Sequence, residues 1–139
     1  MYQQSIANFK HVGTGSCVVL LHGFCEDSGI WDAFLPQLSR KYSVIVPDLP
    51  GFGESSSLES TTVEDMADAV CKVLQKTGVS KFVVIGHSMG GYVALALAEK
   101  YPNATSGLML YRLCFIFTPD FSLKDVLIPT DAFYALISQ

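Results

Sequence analysis

Apolar residues along this chain fall into short unbroken runs separated by stretches with a helical period. Cys17-Val18-Val19-Leu20-Leu21 contains no polar position, which predicts a strand covered on both faces. From Ser28 to Arg40, the residues Ile30, Trp31, Phe34, Leu35 and Leu38 share one helical face, with Asp27 or Ser28 as the cap. Pro36 lies inside that stretch and predicts a kinked or broken helix. Tyr42 to Val46 predicts the next strand. Thr61-Thr62-Val63-Glu64 then reads as a capping box, followed by apolar residues at Val63, Met66, Ala67, Val70, Val73 and Leu74 and a stop at Gly78. Phe82 to Ile85 predicts a third buried strand, Tyr92 to Tyr101 the helix after it, and Ser106 to Leu110 a fourth strand. That last helix carries Val93 to Ala98 without a polar residue, so it should be covered on nearly every side.

Strands alternating with helices imply parallel pairing through right-handed crossovers. The expected fold class is therefore α/β, a mostly parallel sheet with helices on both faces. Gly13-Thr14-Gly15 predicts a turn before the first buried strand, with His11 ahead of it on a surface strand or turn. Residues 1–111 hold this rhythm without a repeat or linker. Residues 112–139 do not: Leu113 to Phe117 is strand-like, but Pro119 and Pro129 interrupt the residues beyond it. The expectation is one organised unit over 1–111 and a divergent tail over 112–139. That tail is either irregular cover for a sheet edge or a departure from a longer ancestral chain by truncation or a shifted reading frame. An uncovered edge of this kind predicts self-association.

Composition narrows the function classes. A chain of 139 residues, 50% of them hydrophobic, fits one domain with a buried sheet. A net charge of −4 with no basic cluster argues against nucleic acid as a partner. The start, Met1 to Ile6, lacks the charged and apolar segments of a secretory signal, and Gly107 to Phe117 is interrupted by Arg112 and too short for a bilayer. No membrane association is expected. The four cysteines form no CxxC pair and no metal-ligand spacing with the three histidines. They read as reduced thiols in a cytoplasmic protein. Gly51-Phe52-Gly53 is followed by Ser56 where a dinucleotide loop needs a small Gly or Ala, and no Gly-Lys-Ser/Thr occurs. No cofactor or metal is expected.

The chemistry concentrates in Gly86-His87-Ser88-Met89-Gly90-Gly91. A buried strand precedes these residues and a small-residue helix comes after them, the context of a nucleophile elbow, in which a sharp turn lifts a serine hydroxyl clear of a sheet. An ordinary helix N-cap at Ser88 would not require the glycines around it. A serine nucleophile needs a base, yet no histidine follows His87. Of the three histidines, His22 lies near the same sheet end, His87 precedes the serine and should pack beside neighbouring loops, and His11 is remote.

Three segments together, Leu20-Leu21-His22-Gly23-Phe24, Asp48 to Ser55 and the Ser88 motif, resemble the N-terminal half of the α/β-hydrolase fold superfamily, in its esterase, perhydrolase and carbon–carbon hydrolase branch. The resemblance spans about residues 10 to 111. It implies that Ser88 is the nucleophile that attacks an acyl carbon. It also implies that the backbone N–H groups of Phe24 and Met89 form the oxyanion hole, and that His22 braces the loop behind that hole. Asp48 is then expected to hydrogen-bond backbone around the elbow. Phe24, Phe52 and Trp31 are candidates to line a small-molecule acyl pocket, with core packing as the alternative for Trp31. No acid or general base of a triad is assigned. The function expected is a serine hydrolase of carboxylic ester or similar acyl bonds, catalytically incomplete in this chain. A non-catalytic binding module on a hydrolase scaffold is the alternative, and a base supplied by a second chain is a third.

Overall fold

The computed structural model describes residues 8–55 and 61–112. In chain order these form β1 (Phe9–Val12), β2 (Cys17–Leu21), a 3-10 helix (Ser28–Trp31), α1 (Leu35–Leu38) and β3 (Ser43–Pro47). They continue as α2 (Val63–Lys76), β4 (Phe82–His87), α3 (Met89–Lys100) and β5 (Thr105–Tyr111). The strand-like Leu113–Phe117 run and the rest of the tail lie outside the described residues.

The five strands form one sheet in the order β1-β3-β2-β4-β5. Strands β3, β2, β4 and β5 are mutually parallel, and only β1 runs antiparallel, with Phe9 opposite Pro47 and Val12 opposite Val44. The expected mostly parallel α/β sheet is therefore present, with one antiparallel edge strand where the sequence leaves His11 between strand and turn. The tight link from β1 to β2 requires glycine: Gly13 has φ +77° and an added Cβ would lie 2.1 Å from the Tyr42 carbonyl oxygen.

The unbroken apolar runs become the sheet's centre, because a strand covered on both faces has no wet side. Val19, Leu21 and Ile45 pack with α2 and α3, including Val70, Leu74, Val93 and Leu97. Their sequence neighbours Val18, Leu20, Val44 and Val46 pack on the opposite face with Trp31, Ile85, Leu35 and Leu38. The helices thus cover both faces. Pro36 explains the second cover: the predicted Ser28–Arg40 helix is broken into the 3-10 helix, capped by the Asp27 side chain, and the short α1 with proline in its first turn.

The capping box of α2 sits one residue later than the sequence pattern suggests. Thr62, not Thr61, is the N-cap, and Asp65, not Glu64, returns the bond: Asp65 N–H donates to Thr62 Oγ1 (3.1 Å) and Thr62 N–H to Asp65 Oδ2 (3.0 Å). Asp serves because the motif needs only a carboxylate within reach of the N-cap amide. Helix α3 starts at Met89 rather than Tyr92, so its first turn is made by the residues directly after Ser88.

Candidate active site

The loops that follow β2, β3, β4 and β5 emerge at the carboxyl end of the parallel strands, where open α/β sheets form their binding crevices. Backbone strain gathers at the same end. The non-glycine residues with positive φ among those described are Cys25 (57°), Ser88 (52°) and Arg112 (52°), each in a segment just after a parallel strand. Such conformations cost of order 1–3 kcal/mol each and persist only where the surroundings enforce them.

At Ser88 the enforcement is visible. The residue has φ 52° and ψ −116°, and although it occupies the N-cap position of α3 its side chain makes no capping bond. Its own N–H donates to the Tyr111 carbonyl (3.0 Å), and its carbonyl accepts from Gly91 N–H (2.9 Å). The glycines are dictated by contact. A Cβ on Gly86 would lie 2.3 Å from the Gly90 carbonyl oxygen and 2.6 Å from Gly91 Cα. One on Gly90 would lie 2.5 Å from the His22 carbonyl oxygen and 2.6 Å from that of Leu21. Strand, turn and helix are pressed together so closely that no side chain fits between them. Met89, as the first residue of α3, presents an N–H with no partner inside the helix, at the positive end of the helix dipole.

The second loop, residues 22–28, is fastened from outside. His22 is fully buried. Leu49 N–H donates to its Nε2 (2.9 Å), so the ring proton is on Nδ1, which donates to the Gly23 carbonyl (2.8 Å). Both ring nitrogens are occupied by backbone, which removes His22 as a base and makes it the brace between two loops. At the far end of the segment, Asp48 Oδ1 accepts from Ser28 N–H (2.8 Å), while its Oδ2 accepts from Glu54 N–H (3.1 Å) and Asn8 Nδ2 (2.8 Å). Burial alone would raise the Asp48 pKa, but these bonds outweigh it and hold the carboxyl down at about 2. The partners of Asp48 are thus its own loop, the segment after the oxyanion candidate and the Asn8 side chain before β1, not the backbone around Ser88.

Between those two ties the chain rides on an aromatic contact. The Phe24 ring, 68% exposed, meets the Phe52 ring edge-on at 5.6 Å, and Phe52 meets the His22 ring at 5.6 Å in the same manner. Phe24 and Phe52 therefore stand together at the sheet's carboxyl end. Trp31 does not join them. It is 9% exposed and packs with Val18, Leu20, Val44 and Val46, the core alternative that its helical spacing offers.

One residue at the site carries no sequence signal. Glu26 Oε2 accepts from Gly23 N–H (3.4 Å) and lies 3.3 Å from His87 Nδ1. An acidic residue in a polar loop reads as solvated, and only the fold shows what it faces. His87, half-buried as expected of a packing residue, has its other neighbour in the Tyr111 ring at 5.6 Å. His11 is bound to Ser43 Oγ (2.8 Å) on the β1–β3 side of the sheet. Among the described residues there is no group of three or more His, Cys, Asp or Glu that could hold a metal ion, and no helix long and apolar enough to cross a membrane.

The chain belongs to the alpha/beta hydrolase fold family, whose pattern matches residues 17–135. The match continues well past Tyr111, so the resemblance extends into the stretch that reads from sequence as divergent. A pimeloyl-[acyl-carrier protein] methyl ester esterase of Pseudoalteromonas atlantica is 37% identical over 103 residues, which are 73% of this chain and 38% of that protein. A putative carbamate hydrolase of Cronobacter turicensis is 37% identical over 95 residues, 67% of this chain and 36% of that one. Among solved structures, a thermophilic esterase from Thermogutta terrifontis superposes with a TM-score of 0.72 at 45% identity, covering 74% of this chain and 39% of the esterase. An epoxide hydrolase superposes with a TM-score of 0.77 at 29% identity, covering 83% of this chain and 41% of that one. The chain thus spans about four-tenths of the length of these hydrolases.

Proposed function

We propose that this chain carries the nucleophile and the oxyanion hole of a serine hydrolase acting on carboxylic esters or similar acyl bonds of small molecules. The observation that carries this reading is Ser88: a serine held in a glycine-favouring conformation, at a helix start, with its hydroxyl withheld from the capping bond that serine normally makes there. Its oxygen would attack the acyl carbon. The negative charge developing on the carbonyl oxygen would be taken up by the Met89 and Phe24 N–H groups, with the exposed Phe24 ring beside the acyl or alcohol group. No cofactor enters this chemistry.

The proton of Ser88 has no acceptor of the required kind in this chain. His22 is spent on backbone, His11 lies on the β1–β3 side of the sheet, and no histidine follows His87. The chain by itself is therefore a catalytically incomplete hydrolase, retaining only binding and oxyanion stabilisation. The unpaired Cys17, Cys25 and Cys71 support a reducing, cytoplasmic location. β5 has no outer neighbour among the described residues, which supports self-association through that edge.

Labelling with a fluorophosphonate, wild type against Ser88→Ala, tests the reading. Slow labelling that disappears in the variant is expected, because the hydroxyl is presented without a base. Complete absence of labelling in a folded chain, even when imidazole is added as an external base, would overturn the hydrolase reading in favour of a binding module on the same scaffold.

A further inference from the structure

Loop 22–28 and the Ser88 turn come from different strands, and an oxyanion hole built from both works only if their separation is fixed. Gly23 is where loop 22–28 meets the side chains of His87 and Ser88. A Cβ there would lie 3.1 Å from His87 Nδ1, 3.2 Å from Glu26 Oε1 and 3.2 Å from Ser88 Cβ. One carboxylate oxygen, Glu26 Oε2, faces both sides of this junction: it accepts from Gly23 N–H at 3.4 Å and stands 3.3 Å from His87 Nδ1. The Glu26 N–H in turn donates to the Gly23 carbonyl (3.3 Å), so residues 23–26 close on themselves. His87 Nδ1 is buried from solvent and makes no hydrogen bond among the described residues; the Glu26 carboxylate, 3.3 Å away, is the acceptor that stands before it. A buried ring nitrogen of this kind demands an explanation, since leaving it unpaired costs about 1–3 kcal/mol. The imidazole is held from its other side by the Tyr111 ring, over which the Arg112 guanidinium lies at 5.5 Å.

We infer that Glu26 is a positioning residue: its carboxylate clasps the oxyanion loop, through Gly23 N–H, to the nucleophile strand, through a proton on His87 Nδ1. The clasp acts on Phe24 N–H and Ser88 by setting the distance between their backbones, and it touches no substrate. Closing that contact would also set the His87 tautomer, because a neutral imidazole can donate to a carboxylate only from the nitrogen that carries its proton. A purely packing histidine would carry no such tautomer preference.

The inference rests on Phe24 N–H being an oxyanion donor, yet its test does not need Ser88 to react, so failure of labelling and failure of the clasp are separate results. Long-range proton–nitrogen correlation spectra of the full chain report the His87 tautomer, and amide exchange reports Gly23. The wild type should show the Nδ1–H form. Glu26→Ala should shift the population toward Nε2–H and speed Gly23 exchange about tenfold, with the central β2 and β4 amides unchanged. Glu26→Gln, whose carbonyl oxygen still accepts, should restore the Nδ1–H form. Should Glu26→Ala not fold, His87→Phe keeps a ring and removes Nδ1, and the same acceleration at Gly23 is expected. An Nε2–H tautomer in the wild type, or Gly23 exchange indifferent to Glu26→Ala or to His87→Phe, would overturn the clasp.

Discussion

The two loops that build the candidate site are held in opposite ways. The Ser88 turn is fixed largely from within: Gly86, Gly90 and Gly91 touch one another, and the pieces that collide if a Cβ is added include Gly90, Gly91 and the facing end of β2. Loop 22–28 closes a local turn over Gly23–Glu26, but its two ends are fixed from residues 20 to 27 positions away, by Leu49 N–H on His22 and Asp48 on Ser28. A turn made of contacts between sequence neighbours is written into a few adjacent letters. A loop made of distant hydrogen bonds is not. The same asymmetry predicts different failure modes: the turn should break through steric overlap, the loop through loss of polar partners.

Gly90→Ala should be the most damaging single change. Its methyl would enter the carbonyl oxygens of Leu21 and His22, forcing α3 off the sheet at a cost of about 3 kcal/mol. Urea unfolding measures it, and a variant within experimental error of wild type would show that the turn is looser than its geometry implies. Asp48→Asn addresses the other loop. Asn would keep the size but turn an N–H₂ toward the Ser28 or Glu54 amides, and the loss should be about 2 kcal/mol near neutral pH, in line with a carboxyl pKa of about 2 against an ordinary 3.8. The sign comes from the depressed pKa. The folded state favours the carboxylate, so this stability is fully present above pH 4 and fades as pH falls toward 2. The gap between wild type and Asp48→Asn should narrow over that interval, and a gap independent of pH would mean that packing rather than charge sets the cost.

A smaller effect should come from outside both loops. Thr62→Ala removes one half of the α2 capping box, a local bond between Thr62 and Asp65, and should cost about 1 kcal/mol while leaving any Ser88 labelling untouched. Labelling that fell with it would mean that α2 is coupled to the site.

This difference also explains what could be read from the letters. The buried runs at Cys17–Leu21 and Phe82–Ile85, and the small-residue helix after Ser88, are legible because two-faced burial leaves a composition with no polar residues. The GHSMGG turn is legible because its glycines answer to contacts within a few residues. β1 is only half legible: a four-residue edge strand carrying Lys10 and His11 has no apolar face to betray it. The capping box slips by one residue because Thr61-Thr62 and Glu64-Asp65 offer two overlapping registers, and only the backbone chooses between them. Glu26 is illegible altogether, since its partners Gly23 and His87 lie on two different strand ends, and so is the commitment of both His22 nitrogens to backbone.

The conformation of Ser88 also sets stability against chemistry at one residue. Alanine there removes the hydroxyl and keeps the strained backbone, whereas glycine removes both the hydroxyl and the reason for the strain. Each substitution removes the same proposed nucleophile, so their difference in unfolding free energy reports what the fold gives up to hold a side chain at φ 52°. The chain would be more stable with glycine here than with its serine, which makes this position the first place where selection for robustness alone would erase the proposed active site.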